Sequence, residues 1–164
     1  LVMLLGRKSA DIRLRDILWP QMIRLGLSTD NKEDTIAALV QTLVTHDQVP
    51  YAWRDLLFER AIARERIMST GVGSETAFPH ITIADFIGVA GCMGVVPRGV
   101  DFDAHRGRGT RFVFLLVTPE DFYDEYLVVL SRIAERMVLP ALRRELLACN
   151  TPAEVLNVFD PDGS

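Results

Sequence analysis

The stretch Arg64–His80 reads RERIMSTGVGSETAFPH and gathers groups that could bind and carry an anion. His80 follows Pro79, whose ring fixes its own φ and biases Phe78 toward an extended conformation. His80 is therefore expected at a rigid, strand-like end. Imidazole is a nucleophile near neutral pH, with an ordinary pKa of about 6.5. Ser69 and Thr70 offer hydroxyls. Gly71 and Gly73 permit backbone conformations closed to other residues and add no bulk, so turn N–H groups here could form an anion-binding concavity. Arg64 could pair with phosphate through its forked guanidinium. Together these are parts for holding a phosphoryl group on an imidazole. The plainer alternative is a glycine-rich turn entering a strand that carries an incidental histidine.

The remaining chemistry-bearing residues give less. His46 ends an amphipathic segment, where a cation suits a helix dipole and a surface position is expected. His105, in the polar run Asp103-Ala104-His105-Arg106-Gly107, would matter only if folding brought it to His80. Asp101 and Asp103 read as turn carboxylates, without further metal-ligand spacing. Arg143-Arg144 reads as a solvated helix face. Cys92 lies in an apolar run and forms no metal or redox motif with Cys149; both are expected reduced. No Walker loop or dinucleotide fingerprint is present, and Gly71-Val72-Gly73 alone is weak for nucleotide binding.

The elements that must position these residues follow from periodicity. Met22 to Leu27 reads as a short strand. Asp30 with Glu33 three residues later marks a helix start, and Ile36, Leu39, Val40, Leu43 and Val44 then recur at helical spacing. Pro50 opens a second helical region with Trp53, Leu56, Leu57 and Ala61 on one face and Arg64 near its end. Residues 86–96 form a mostly apolar run expected as a buried strand, and 111–117 a second. Thr118-Pro119 predicts a helix start, with Tyr126, Leu130, Ile133 and Met137 as the apolar stripe. Pro140 begins another helix, and Thr151-Pro152-Ala153-Glu154 a capped last one. Strands mixed with helices throughout predict an α/β domain: a mixed sheet flanked by helices on both faces.

At 164 residues, 49% of them apolar, the chain can bury one sizeable core, and general disorder is excluded. The net charge of −4 gives no reason to expect a nucleic-acid partner. The basic residues are 16 Arg and 2 Lys. The opening LVMLLGRKSA has too few apolar residues to span a membrane. Residues 1–11 read as an extension or linker, 12–160 as the domain and 161–164 as a tail.

In Arg64-Glu65, Ser69-Thr70-Gly71-Val72-Gly73 and Ala77-Phe78-Pro79-His80, the sequence resembles the enzyme IIA domain of the phosphoenolpyruvate-dependent sugar phosphotransferase system, fructose/mannitol type, which includes the nitrogen-regulatory IIA proteins. Val100-Asp101-Phe102-Asp103-Ala104, Phe114-Leu115-Leu116-Val117-Thr118-Pro119 and Arg132-Ile133-Ala134 continue the likeness in order, and it covers roughly residues 12–160. The resemblance implies a largely five-stranded mixed sheet and a cytoplasmic phosphocarrier without cofactor or metal. His80 would be the phosphoryl acceptor, assisted by Arg64, with Ser69, Thr70, Gly71 and Gly73 about the phosphate. It implies a histidine phosphocarrier protein as donor. The downstream partner would be an acceptor domain or a regulated transporter or kinase, with fusion to a membrane transporter as one arrangement. The family's second histidine falls, in this register, on Tyr126. Ile81-Thr82 and Glu75 also depart from the usual pattern. A phosphate-transferring domain and a regulatory domain of the same fold both follow from the resemblance.

Overall fold

The computed structural model describes residues 13–102 and 109–161. One mixed sheet runs through them, built from β1 (Ile23–Arg24), β2 (Gly71–Val72), β3 (Thr76–Ala77), β4 (His80–Ile83), β5 (Ala90–Val100) and β6 (Thr110–Pro119). The order is β1-β5-β6-β3-β2, with β4 also paired to β6. β5 and β6 form the antiparallel centre, β1 lies parallel to β5, and β3 and β4 lie parallel to β6. Six strands stand where about five were expected, because the path beside β6 is split into β3 and β4 by Phe78-Pro79.

The helices are α1 (Lys32–Thr45), α2 (Arg54–Ile67), α3 (Tyr123–Met137), α4 (Pro140–Ala148) and α5 (Pro152–Phe159). Strand alternation assigns them to faces. The Cys92 thiol donates to the Leu39 carbonyl of α1 at 3.4 Å. Two residues on, a Cβ at Gly94 would lie 2.9 Å from Leu27 and 3.1 Å from Leu39, so only glycine lets α1 sit this close. The opposite face carries Phe114, packed on Phe78 at 5.6 Å and on Phe159 of α5 at 5.9 Å between ring centroids. Helices therefore cover both faces, as the mixed pattern predicts. Every apolar position read for α1, from Ile36 to Val44, is buried.

Several expectations need correcting. α1 is capped by Asn31, whose Oδ1 accepts the Asp34 N–H at 2.7 Å, rather than by Asp30. The short first strand is confined to Ile23–Arg24, after a 3-10 turn at Pro20–Met22. In α2, Leu56 is exposed, and the buried set is Leu57, Ala61, Ile62 and Glu65. The run read as 86–96 becomes a strand only from Ala90 and continues to Val100; an irregularity near Pro97 absorbs the ring that cannot donate to the ladder. Thr118-Pro119 ends β6 instead of opening a helix, because β4 pairs alongside as far as Ile83–Pro119 and a terminal proline spares no needed N–H. Arg143 is not a solvated-face residue. Its guanidinium meets Glu75 at 3.0 Å and donates to the Met137 and Val138 carbonyls at 2.6 and 3.0 Å. His46 is exposed at the end of α1, and both cysteines are free. Asp103 and His105 lie outside the described residues. Among those described, no helix is long and apolar enough to cross a membrane.

Candidate functional site

β3, Phe78-Pro79 and β4 keep one register along β6: Thr76 and Ala77 pair with Phe112 and Val113, and His80 resumes opposite Leu116. Within the break, the Phe78 N–H turns away from β6 to the Thr70 carbonyl at 3.1 Å, while the Pro79 carbonyl accepts the Leu116 N–H at 3.1 Å. Proline lacks an N–H, so the interruption leaves no orphaned donor. The Phe78 carbonyl is thereby turned from the ladder and meets Nδ1 of His80 at 3.1 Å. A carbonyl can only accept, so Nδ1 carries the proton and the lone pair of the neutral ring resides on Nε2. Strand-derived backbone thus fixes both the ring and its tautomer.

His80 is half-buried. Burial holds its pKa below the ordinary histidine value. The Phe78 hydrogen bond works against that, Arg64 adds to the lowering, and Glu65 opposes it. The ring is consequently neutral at pH 7.

His80 opens into a surface depression of about 620 Å³ whose walls include Arg60, Arg64, Ile67, Thr82 and Glu120. Arg64 stands near the C-terminus of α2 and donates from Nη1 to the Met68 carbonyl at 2.8 Å. Tyr126, on α3, packs its ring on His80 with centroids 5.3 Å apart and planes at 47°. It is only 3% exposed, so it supports the imidazole from the core side and is not part of the described wall of the depression.

The glycine-rich turn is arranged differently from the expected phosphate cradle. Ser69 donates its hydroxyl to the Phe102 carbonyl, and the Gly71 N–H is taken by Ser69 Oγ at 3.1 Å. Thr70 donates both its N–H and its hydroxyl to the carboxylate of Glu65. Gly71 is needed for close approach, since a Cβ there would lie 3.1 Å from Phe102 Cβ. Gly73 lines a separate cavity with Thr76, Phe78 and Met137. The left-handed conformations fall on Ser74 and Glu75, at φ 69° and 58°, not on the two glycines. Glu75, one of the departures from the family pattern, is paired with Arg143 and, at 3.5 Å, Arg111. The donors of Ser69, Thr70 and Gly71 hold the turn together.

Sequence reasoning did not single out Arg60, Glu120 or the buried Glu65. The i, i+4 spacing of Arg60 and Arg64 on one helix was the available signal for the first. Glu65 stood in the quoted motif without a task; here it ties α2 to the turn before His80. Glu120 gave no local signal, because only the parallel pairing of β4 with β6 carries it to the depression. Among the described residues, no group of three or more His, Cys, Asp or Glu side chains is placed to hold a metal.

The mixed sheet flanked by helices is the fold of solved enzyme IIA proteins. A crystal structure of the nitrogen regulatory protein IIA-Ntr from Neisseria meningitidis superposes with a TM-score of 0.77 at 28% identity, over 88% of this chain and 97% of that one. The chain belongs to the family "Phosphoenolpyruvate-dependent sugar phosphotransferase system, EIIA 2", whose pattern matches residues 16–161. It is 26% identical over 156 residues to a nitrogen regulatory protein homolog of Haemophilus influenzae, covering 91% of this chain and 92% of that protein. It is 25% identical over 149 residues to the fructose-specific EIIABC component of Bacillus subtilis, covering 91% of this chain but only 23% of that longer protein.

Proposed function

We propose that the domain, which we bound at residues 12–160, carries a phosphoryl group on Nε2 of His80. The donor is a phosphohistidine of a phosphocarrier protein. The Nε2 lone pair attacks phosphorus in line, a new N–P bond forms, and the donor's N–P bond breaks with its electron pair returning to the donor imidazole. The proton stays on Nδ1 of His80, donated to the Phe78 carbonyl, and this hydrogen bond steadies the charge the ring acquires. Arg64 offsets the charge of the phosphoryl oxygens, and Ser69, Thr70, Gly71 and Gly73 act by shaping the turn. The group then passes to a cysteine or histidine of a downstream acceptor in the cytoplasm. The observation that carries this reading is the 3.1 Å contact of Nδ1 with the Phe78 carbonyl, which leaves Nε2 as the reactive nitrogen at the depression. Incubation with general phosphotransferase proteins and labelled phosphoenolpyruvate tests it. Acid-labile label is expected in the wild type and absent from His80→Ala; no label in either rejects it.

A regulatory role is the second reading. It is supported by the similarity to nitrogen regulatory proteins, at 26% identity to the Haemophilus homolog and a TM-score of 0.77 to the Neisseria IIA-Ntr. Here the charge on His80 would govern contact with a transporter or kinase. A partner whose binding changes between His80→Asp and His80→Ala supports this role; equal binding to both rejects it.

A further inference from the structure

We propose that Arg60 is the second cation of the oxyanion site at His80, acting with Arg64 as a two-guanidinium clamp. The proposal rests on the phosphoryl reading for its biological ligand, but its physical content is the binding of a tetrahedral oxyanion.

Arg60 and Arg64 stand one turn apart on α2, and both line the depression into which His80 opens. Each is aimed by a backbone tether. Arg60 Nη1 donates to the Thr82 carbonyl of β4 at 3.0 Å, and Arg64 Nη1 to the Met68 carbonyl at 2.8 Å. Thr82 is two residues beyond His80, on the same face of the same strand. This tether fastens the Arg60 head to the strand that begins at His80, in the wall of the same depression. A guanidinium has five N–H donors in a planar fork, and one tether apiece leaves most of them for a ligand. Two such forks bordering one nucleophile suit a dianionic phosphate better than either alone. Tyr126, the other ring against His80, is buried and neutral, so it brings no charge to this wall. Glu120 is the opposing acid in the depression and weakens anion binding when ionised.

The test follows the His80 ring-proton resonances of the full chain during titration with inorganic phosphate at constant ionic strength. Arg60→Gln is expected to weaken the apparent phosphate affinity by about three- to tenfold, with Arg60→Lys retaining much of it and Glu120→Gln strengthening it. The thermal midpoint of Arg60→Gln should stay near wild type, which separates lost charge from lost structure. Wild-type affinity in Arg60→Gln would reduce Arg60 to a helix–strand tie and overturn the proposal, as would a wild-type His80 that ignores phosphate. A phosphate response that depends on Arg60, in a protein whose His80 takes no label from phosphocarrier proteins, supports the clamp and rejects phosphotransfer alone. Label entering His80 with phosphate affinity unchanged in Arg60→Gln rejects the clamp alone.

Discussion

The rings of His80 and Tyr126 lie 5.3 Å apart between centroids, at 47°, with the tyrosine buried and the histidine half-open to solvent. The contact joins the start of β4 to the first full turn of α3. Tyr126 is thus both a core residue and the backing of the imidazole, two descriptions that the sequence treated as alternatives.

Substitution at Tyr126 should separate these roles. Tyr126→His places a second imidazole beside the first and is expected to accelerate phosphorylation of His80, on the order of ten- to a thousandfold. Tyr126→Phe keeps the ring and should stay within about twofold of wild type. Both rates are measured with the same phosphocarrier donor. Equal rates in all three proteins would show that the position acts only through packing. Tyr126→Ala should lower unfolding free energy by about 3 kcal/mol in a denaturant melt, because a buried aromatic ring leaves a cavity.

The histidine should titrate below its ordinary value of about 6.5, chiefly because it is partly removed from water. The folded state then binds fewer protons than the unfolded state in the interval between the two pKa values. Stability therefore rises with pH across that interval and is lost as pH falls from about 6.5 toward the folded pKa. An NMR titration of the ring protons measures the shift directly. His80→Gln should flatten this part of the stability profile. A ring that titrates above 6.5 would contradict the burial described.

Glu65 is 3% exposed and accepts both the N–H and the hydroxyl of Thr70. Glu65→Gln keeps one acceptor and removes the charge. It should cost about 1–3 kcal/mol in chemical denaturation, since a buried donor loses part of its satisfaction. The His80 pKa should fall further, because the carboxylate pulls it upward. An unchanged His80 titration in a folded Glu65→Gln protein would refute that electrostatic link.

Arg143 joins α4 to the β2–β3 turn through Glu75 and to the end of α3 through the Met137 and Val138 carbonyls. Arg143→Ala should destabilise by about 1–3 kcal/mol. Glu75→Gly loses the ion pair but removes a side chain from a left-handed conformation that costs an L-residue roughly 1–2 kcal/mol, so its net effect should be small. Thermal melts of the two variants should rank Glu75→Gly well above Arg143→Ala.

What was legible in the sequence was what local chemistry decides. The α1 stripe, the apolar run of β6, the helix start at Pro140 and the Thr151 cap depend on nearest neighbours and periodicity, and they appear as read. The Phe78-Pro79-His80 sequence likewise announced a histidine at a rigid, strand-like end, but not that a strand begins there. Pairing partners were not legible. Thr118-Pro119 resembles a helix start until β4 lies beside it. Ser69 and Thr70 resemble free donors until Phe102 and Glu65 claim them. Arg143 resembles a surface cation until Glu75, 68 residues away, meets it. Thr118-Pro119, Ser69 and Arg143 each meet a competitor distant in sequence, which no window of local spacing contains; Glu65 is only five residues from Thr70, but the turn that brings the two together is not legible from spacing alone.

The shared register of β3 and β4 along β6 has a kinetic consequence. His80 is anchored directly on the central strand β6, opposite Leu116, whereas β2 is a two-residue edge strand held only through β3. The turn before the histidine can open and close locally while the His80 backbone stays seated, because releasing His80 requires β4 to detach from the central strand β6. Amide exchange should therefore divide within ten residues, quick at Val72 and Gly73 and slow at Ile81, with Leu116 across the ladder slow as well. A partner that presses on the turn would meet a compliant surface beside a stationary imidazole, so under the proposed phosphoryl transfer adaptation to different partners need not disturb the chemistry.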